Sequence, residues 1–395
     1  MRRNKIQMIL SWEMVKSIFV IVFKYLPIYA YVRLFGLRES CWLVCERPTD
    51  ARDNGYVFFK WMRERHPEQK IVYVIKKSAP DFNNVKGLGL CVEYGSIQHW
   101  YYYFAASVCC DTAWNICAPN DLAFLIMRDI LPHRAKRVFL QHGITKDYMP
   151  QGRKHKLKAD LFVCGAYPEW EYISRNFGYE ESEVKYLGFT RFDRLINTPG
   201  EKRQILFMPT WRTELYKTHD FENSNYCKTI RSLLSSADIN RFLSSTGTEL
   251  VYFLHPAIRD KKKYFVDFAN DNVQVLNNED FDMQRLICSA SILITDFSSV
   301  YFDFAYQEKP VVYYHFDYDD YRKSHYEEGY FNYERDGFGP IVHNENQLLQ
   351  SLIQFEKSNW IMSEGYRERV AKFFPRRDKY NCERHYQAIM ELERR

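Results

Sequence analysis

Short, continuous apolar runs are the feature that most constrains how this chain can fold. In its first half they are CWLVCER (41–47), KIVYVIKK (70–77), LCVEYG (90–95), SVCCDTA (107–113), RVFLQHG (137–143) and LFVCGA (161–166). Strands that read as unbroken apolar runs are typical of parallel sheets buried on both faces. Helical patterns, such as those at 54–65 and 97–106, separate several of these runs. Strand–helix–strand repetition predicts a doubly wound α/β domain.

A second series begins after NTPGEKR (197–203), where the Pro-Gly pair indicates a turn or linker. Its strand candidates are QILFMPT (204–210), ELVYFLHP (249–256), VQVLN (273–277), SILITD (291–296) and KPVVYYHF (309–316). Its helices are expected around 230–243, from 281, from 299, and at 345–356 and 380–393. At 395 residues the chain is long enough for two cores. We therefore predict two Rossmann-like domains facing a cleft, 40–198 and 199–395, with a last helix able to cross back to the first domain.

The first 39 residues form a basic, aromatic segment of a different character. Residues 1–40 carry seven basic and two acidic side chains, which accounts for the whole net charge of +5 and leaves the remainder neutral. Nucleic acid is therefore not an expected partner. The longest uncharged apolar stretch, 18–23, is much shorter than the roughly 20 residues that a transmembrane helix needs, and no signal-peptide cleavage site follows.

We predict instead that residues 1–39 are an amphipathic helical segment on the cytoplasmic face of a membrane. Lys and Arg would lie near anionic headgroups, with Trp12, Phe19 and Tyr25 inserted. The alternative is a helix that packs only on the protein itself. Ten cysteines show neither metal nor redox spacing and are expected to be reduced core residues, as in a cytoplasmic protein.

Three predicted strands lead into chemistry-bearing residues, namely His142, Arg212 and His255. In open α/β sheets, ligands bind beyond the carboxyl ends of the strands. A histidine beside Gly143 can approach a ligand closely and take a proton from a hydroxyl. The planar guanidinium of Arg212 can clamp a phosphate. The alternatives are histidines that cap the strands and an arginine in a salt bridge.

The stretch LITDFSSVYFDFAYQEKPVVYY (293–314) combines a strand, a hydroxyl-rich turn and a helix. Thr295, Asp296, Ser298 and Ser299 fall at the start of the helix, where backbone N–H groups and hydroxyls can bind an anion. The same residues could be ordinary helix caps. The chain has no P-loop, HExxH or GxSxG. The stretches DFD (280–282) and DYD (317–319) resemble the metal-binding DxD of some glycosyltransferases, but the first is better explained as a helix N-cap and the second as an acidic, Tyr-rich loop. No metal and no cofactor are expected.

Two possible bases, an arginine clamp and a hydroxylated helix start favour group transfer from a nucleotide-diphosphate donor to a hydroxyl. Such chemistry depends mainly on positioning and on charge stabilisation. The ordered set QHG, PTWR, LHP, TDFSSVYFDFA and EKP then resembles the CDP-glycerol glycerophosphotransferases, which build teichoic acids and related capsular polymers in bacteria. ERPTDARDNGYVFFKW (46–61) is also similar to the N-terminal segment of many members, so the resemblance extends from about residue 46 to about 345.

The resemblance implies a fold of the two-Rossmann-domain glycosyltransferase (GT-B) type and a role for each candidate residue. His142 would be the general base, with Gly143 and Lys146 on the acceptor side. His255 would steady the pyrophosphate or assist the leaving group. The remaining donor-site residues would be Arg212, Thr295, Asp296, Ser298, Ser299 and, at the ribose, Glu308.

The reaction implied is transfer of a polyol phosphate from CDP-glycerol or CDP-ribitol to a lipid-linked glycan acceptor, with release of CMP, at the cytoplasmic face of the bacterial membrane. Many members read WHGTPxK where this chain has QHGITK (141–146), so Gln141 and Ile144-Thr145 depart from the pattern next to the expected base. The departure concerns the acceptor more than the reaction. A glycosyltransferase of the same fold and a non-catalytic membrane scaffold are the alternatives.

Overall fold

The computed structural model describes residues 12–37, 39–131, 133–195, 203–212, 215, 220–277, 281–324 and 327–395. The chain divides into two compact units. The first comprises residues up to His142, then Pro150–Asp193 and Lys379–Arg395; the second comprises Gly143–Met149 and Arg194–Asp378. The predicted boundary at 198/199 lies outside the described residues. The predicted division kept 199–395 together, whereas in the structure the last segment packs with the first unit.

The first unit contains a seven-stranded sheet in which every described pairing is parallel. Its strands are β1 Cys41–Cys45, β2 Lys70–Ile75, β3 Leu90–Glu93, β4 Val108–Asp111, β5 Lys136–Phe139, β6 Leu161–Cys164 and β7 Val184–Tyr186. Its helices, in chain order, are α1 Trp12–Leu34, α2 Asn54–Arg65, α3 Phe82–Val85, α4 Ile97–Ala105, α5 Asp121–Met127, α6 Lys154–Leu157 and α7 Tyr167–Asn176. Short 3₁₀ turns cover Pro150–Gly152, Glu181–Glu183 and Thr190–Arg194.

The second unit contains a six-stranded sheet, also parallel throughout its described pairings. Its strands are β8 Gln204–Phe207, β9 Glu249–Phe253, β10 Val273–Leu276, β11 Ile292–Thr295, β12 Val311–Tyr314 and β13 Ile341–Val342. Its helices are α8 Asn225–Ser235, α9 Ala237–Thr246, α10 Met283–Ser289, α11 Val300–Tyr306, α12 Tyr318–Ser324, α13 Tyr333–Asp336, α14 Glu345–Lys357 and α15 Glu364–Phe373, with 3₁₀ segments at Pro256–Tyr264 and Val266–Phe268. The chain ends with α16, Asn381–Arg394, whose Cys382, Ala388 and Ile389 are buried in the core of the first unit.

Both sheets are doubly wound, which confirms the predicted α/β class. The strand order β3-β2-β1-β4-β5-β6-β7 reverses between β1 and β4, and β10-β9-β8-β11-β12-β13 reverses between β8 and β11. Loops at such a reversal separate above the carboxyl ends of the two central strands, which is where this class of fold binds ligands. In the second unit the two loops are those that follow β8 and β11, and they contain most of the predicted donor-site residues.

Helix α1 packs on the first unit through one face only. Ile21, Tyr25 and Val32 are buried, and the ring of Tyr25 contacts Trp100 and Phe104 of α4 at centroid distances of 5.5 and 4.9 Å. The rest of the helix leaves large apolar side chains exposed, namely Trp12, Met14, Val15, Ile18, Phe19, Val22, Phe23, Leu26, Tyr31 and Leu34. The predicted insertion of Tyr25 into a membrane is therefore wrong, because this ring belongs to the protein core.

The expectation that the N-terminal segment is too interrupted to cross a membrane was also wrong. Helix α1 is continuous over 23 residues, and its length and composition are those of a membrane span, although core helices and signal sequences can share them. Counting only uncharged residues treated Lys24 and Arg33 as breaks, but a helix continues through both. All ten cysteines are free thiols, eight of them buried, as predicted for core residues.

Candidate active site

His142 lies in the loop that follows β5, three residues beyond the last strand residue. The loop leaves the sheet through Leu140, whose N–H donates to the Asp111 carbonyl at 2.7 Å. Gln141 then adopts a left-handed conformation with φ of 61°. The side chain of His142 is exposed to solvent at the carboxyl end of the first sheet. This is the position from which a base can reach a ligand.

Gln141, one of the residues at which this chain departs from the motif it resembles, is buried and anchored. Its amide donates to the Val163 carbonyl at 2.6 Å and to Glu169 Oε1 at 3.0 Å. Glu169 is itself buried at the start of α7 and accepts the Gly165 N–H at 2.7 Å. The polar side chain therefore fits because a buried carboxylate and a strand carbonyl receive both of its hydrogen bonds.

The surroundings of His142, burial above all, favour its neutral form. Burial lowers the pKa of His142 below its ordinary value; Asp53 opposes this, Arg47 and Arg191 lower the pKa further, and a hydrogen bond with the Thr112 backbone raises it. The residue has access to solvent although many protein atoms lie around it, so exposure and a lowered pKa coexist. A neutral imidazole at neutral pH is ready to accept a proton.

The chain enters the second unit directly after His142, through the segment Gly143–Met149. Gly143 packs so closely on Ser299 that a Cβ at this position would lie 2.8 Å from the serine Oγ. Since His142 is covalently joined to Gly143, the predicted base directly precedes a residue that contacts the predicted donor site. An alanine at position 143 would therefore require the Ser299 side chain to shift.

The rest of this segment is held by residues 318–333 of the same unit. Tyr148 N–H donates to the Glu327 carbonyl at 2.9 Å, and Asp147 pairs with Arg322 at 3.3 Å. The ammonium of Lys146 pairs with Asp147 and lies 5.6 Å from the ring centre of Tyr333. Burial lowers the pKa of Lys146, and Asp147 opposes that change. Lys146 is thus buried rather than open to an acceptor in this conformation.

Thr295 and Asp296 join the loops after β8 and β11. Thr295 Oγ1 donates to the Met208 carbonyl at 2.6 Å. The Asp296 carboxylate accepts the N–H of Thr210 at 2.7 Å, the N–H of Phe297, and the guanidinium of Arg212 at 2.8 Å. Both side chains are fully buried. They order the loops at the strand-order reversal, underneath any ligand that binds there.

Arg212 is almost completely buried, with 2% of its surface exposed. Its Nε and Nη2 donate to the two oxygens of Asp317 at 2.8 and 2.7 Å, and Nη1 donates to the Thr210 carbonyl at 2.6 Å. Four aromatic rings surround the guanidinium, with centroids 5.0–5.4 Å away, namely Tyr226, Phe297, Phe316 and Tyr321. Its donors are directed at carboxylates of the protein, which is a different setting from the open phosphate clamp that the sequence predicts.

Ser298 and Ser299 remain partly exposed at the start of α11. Ser299 is the residue before the first helical turn, and Ser298 Oγ accepts the Val300 N–H at 3.5 Å, a long and weak contact. With Thr295 and Asp296 buried beneath them, the two serines supply the accessible hydroxyls of this loop.

His255 opens the 3₁₀ segment Pro256–Tyr264. Its Nδ1 accepts the Ala257 N–H at 3.1 Å, and its ring stacks on Trp211 with centroids 6.1 Å apart. An accepting Nδ1 leaves the proton of a neutral ring on Nε2. His255 therefore caps a helical turn, which resembles the capping role considered as the alternative to catalysis. Its half-buried ring lies next to the loop that carries Arg212.

Glu308 lies at the far end of α11, apart from the serines along the helix. It adopts φ of 55° and pairs with Arg377. The structure therefore brings together Arg212, Thr295, Asp296, Ser298 and Ser299, with Gly143 against the last of these, while Glu308 lies at the opposite end of the helix. Within the described ranges, no group of three or more His, Cys, Asp or Glu side chains could hold a metal ion.

Sequence reasoning missed two groups of residues around the candidate site. Asp317 binds Arg212, although the sequence drew attention to its stretch only as an acidic loop. Asp53, Asn54 and Arg191 contact the backbone of the His142 loop or one another. Asp53 and Asn54 lie in the motif at 46–61, and this motif was the sequence signal that could have identified them.

Two doubly wound parallel sheets, each with a reversal of its strand order, define an α/β protein of the GT-B-like structural class. A sequence profile described as CDP-Glycerol:Poly(glycerophosphate) glycerophosphotransferase matches residues 33–391. The chain therefore belongs to this family of enzymes, which confirms the resemblance seen in its motifs.

Individual relatives agree with this assignment. The minor teichoic acid biosynthesis protein GgaB of Bacillus subtilis is 32% identical over 90% of this chain and 40% of its own length. The teichoic acid poly(glycerol phosphate) polymerase of the same organism is 23% identical over 78% of this chain and 42% of its own. The chain thus spans less than half the length of these relatives. A structure of the wall teichoic acid polymerase TagF, soaked with CDPG, has the same fold, with a TM-score of 0.69 at 17% identity over 96% of this chain and 98% of that one.

Proposed function

We propose that this protein transfers a polyol phosphate from a CDP-polyol to a hydroxyl of a lipid-linked cell-surface polymer precursor in teichoic acid or capsule synthesis. Glycerol phosphate is the favoured polyol phosphate. The observation that carries the proposal joins a sequence neighbour to a packing contact. His142, whose imidazole is exposed and neutral, directly precedes Gly143, and Gly143 packs on Ser299 of the hydroxylated loop. A base and an anion-binding loop are the two components that this transfer requires.

In the proposed reaction, His142 accepts the proton of the acceptor hydroxyl. The hydroxyl oxygen attacks the phosphorus that bears the polyol and forms a new phosphodiester. The bond from that phosphorus to the bridging oxygen breaks, and CMP leaves with the electron pair. Ser298, Ser299 and His255 would stabilise the charge on the pyrophosphate, since hydroxyls and a ring N–H are donors at the end of the second sheet. Phosphate binding by Arg212 remains a prediction; its contacts support a role in ordering the loop that carries the serines.

The exposed face of α1 supports peripheral attachment at the cytoplasmic side of the membrane, where a lipid-linked acceptor would be found. One face of the helix is anchored by Ile21, Tyr25 and Val32 to the first unit, and the other presents large apolar side chains. A helix fixed in this way lies along a surface with its apolar residues outward, as interfacial helices do.

The test is product analysis with CDP-glycerol, CDP-ribitol and lipid-linked acceptors. We expect CMP release together with a new phosphodiester resonance in ³¹P NMR spectra. A glycosidic bond in the product would support the glycosyltransferase alternative. Absence of turnover with every CDP-polyol tested would contradict the proposed function.

The matched variants are His142→Gln and His155→Gln. Loss of a general base lowers turnover about 10²- to 10⁴-fold, so His142→Gln should release CMP at that reduced rate while binding CDP-glycerol in calorimetry as the wild type does. His155 is exposed on α6, and its substitution should leave turnover unchanged. Wild-type turnover by His142→Gln would exclude this histidine as the base.

A further inference from the structure

The motif ERPTDARDNGYVFFKW links β1 to α2, and its side chains reach the loop of His142. Asn54, the first residue of α2, is fully buried. Its Nδ2 donates to the Gln141 carbonyl at 2.9 Å, and its Oδ1 accepts the Arg191 N–H at 3.1 Å. One amide therefore joins the residue before His142 to the 3₁₀ turn Thr190–Arg194.

Arg191 contacts the backbone of the next residue in the same loop. Its Nη1 donates to the His142 carbonyl at 3.0 Å and to Asp53 Oδ1 at 3.0 Å. The guanidinium lies 4.9 and 5.3 Å from the ring centres of Phe189 and Phe192, so its own position is fixed by packing. Two consecutive carbonyls, those of Gln141 and His142, are thus held by side chains from two distant segments.

The start of α2 is in turn fixed by Glu46, which is buried just after β1. Its carboxylate accepts the N–H groups of Arg52, Asp53 and Tyr56 at 3.0, 3.0 and 2.7 Å. A carboxylate that accepts the first N–H groups of a helix stabilises the helix start in a defined place. Asp53 and Asn54 therefore approach the His142 loop from a rigid base.

We propose that Asn54 and Arg191, held in place by Glu46 and Asp53, are positioning residues that set the direction of the His142 ring toward the acceptor hydroxyl. The inference rests on the proposed role of His142 as the base. The loop has no strand or helix hydrogen bonds at residues 141 and 142, and Gln141 has a left-handed φ. Its backbone direction therefore depends on side-chain contacts, and a displacement of about 1 Å at a reacting group lowers a rate about 10²-fold.

The same residues also act on the charge of the ring. Asp53 raises the pKa of His142, whereas Arg191 and Arg47 lower it. Asp53 and Arg191 therefore have opposite effects on the pKa of His142. Removal of Asp53 should lower this pKa, and removal of Arg191 should raise it. A residue that only supports the fold would not give this pair of opposite changes.

The experiment compares Arg191→Met with Arg384→Met in the full chain. Methionine keeps apolar packing and removes the donors in both. Arg384 is the matched control, since its Nε donates to the Leu187 carbonyl at 2.9 Å in the same unit, away from residues 141 and 142. We expect kcat to fall about 10- to 100-fold in Arg191→Met, with the KM for CDP-glycerol within about threefold of wild type, and no change of kcat in Arg384→Met. Equal losses of kcat in the two variants would overturn the proposal.

A second measurement does not depend on activity. NMR titration of the histidine rings, with the His142 signal assigned by its loss in His142→Gln, should show a higher pKa in Arg191→Met and a lower pKa in Asp53→Asn. Asp53 is only partly buried, so Asp53→Asn should fold even if Arg191→Met does not. An unchanged titration in Asp53→Asn would overturn the proposal. If His142→Gln keeps wild-type turnover, His142 is not the base and the proposed function fails. The titration would still decide whether Asp53 and Arg191 act on the His142 ring.

Discussion

Arg212 illustrates, at the scale of a single residue, how a cation can be retained in a protein interior. Asp296 and Asp317 compensate its charge, and the aromatic rings around it exclude water. Removing one partner from such a group leaves a buried charge unpaired, which costs about 3–5 kcal/mol. The sequence pointed to this arginine, but its partners lie 84 and 105 residues away, and no local pattern predicts them.

His99 gives a pH-dependent prediction. It is fully buried in α4; its Nδ1 accepts the Gly95 N–H at 3.0 Å and its Nε2 donates to the Cys117 carbonyl at 3.0 Å, so the ring is neutral. Burial lowers its pKa to about 4. The unfolded chain therefore takes up a proton that the folded chain does not as the pH falls from about 6.5 to 4, and stability decreases through that window by up to about 1.4 kcal/mol per pH unit.

We expect His99→Gln to be less stable than wild type at pH 7, with a smaller difference at pH 5, because the variant has no imidazole to protonate. Urea unfolding followed by circular dichroism at both pH values measures the two differences. If the difference is the same at pH 5 and pH 7, His99 does not titrate as its burial predicts.

At the scale of elements, most strands were predictable because they are continuous apolar runs. Helix α2 was predicted with its observed bounds, 54–65. The helix expected around 230–243 is instead two helices, α8 and α9, which meet at Ser236, where ψ is 119°. The strands β7 and β13 were missed, since three and two residues are too short to show a period. Contacts that order the loops of the candidate site were also missed, because side chains from distant segments make them.

Gly329 allows a prediction about the segment Gly143–Met149. A Cβ at Gly329 would lie 2.2 Å from the Lys146 carbonyl oxygen, and backbone cannot rotate away as a side chain can. Gly329→Ala should therefore displace the segment that follows His142, lowering stability by about 1–3 kcal/mol and kcat by at least about tenfold. Steady-state kinetics and urea unfolding test both effects.

The matched control is Gly365→Ala. Gly365 lies in α15 with no heavy atom within 4 Å of an added Cβ, so alanine there should be neutral or stabilising by up to about 1 kcal/mol. Wild-type kcat in Gly329→Ala would show that the close approach to Lys146 is unrelated to catalysis.

At the scale of the whole molecule, the proposed attachment to a membrane depends on the exposed face of α1. Phe19 and Phe23 are 63% and 62% exposed, with ring centroids 4.2 Å apart. Replacing both with glutamate adds charge where apolar burial is expected, and the affinity for anionic vesicles should fall at least about tenfold. Because Ile21 and Tyr25 face the core, the substitutions should leave the fold intact, as thermal unfolding can verify.

Ile361→Glu serves as the control, because Ile361 is a similarly exposed apolar residue in the second unit, 57% exposed. Co-sedimentation with vesicles should match wild type for this variant. Equal co-sedimentation of the Phe19→Glu/Phe23→Glu protein and the wild type would contradict attachment through α1.

The return of α16 to the first unit has a consequence for synthesis on the ribosome. Cys382, Ala388, Ile389 and Leu392 complete a core that otherwise consists of residues from the first half of the chain. That core stays open until the last helix has been translated, whereas every segment of the second unit has emerged by then. During synthesis, the first unit can therefore complete its core only after the second unit has left the ribosome.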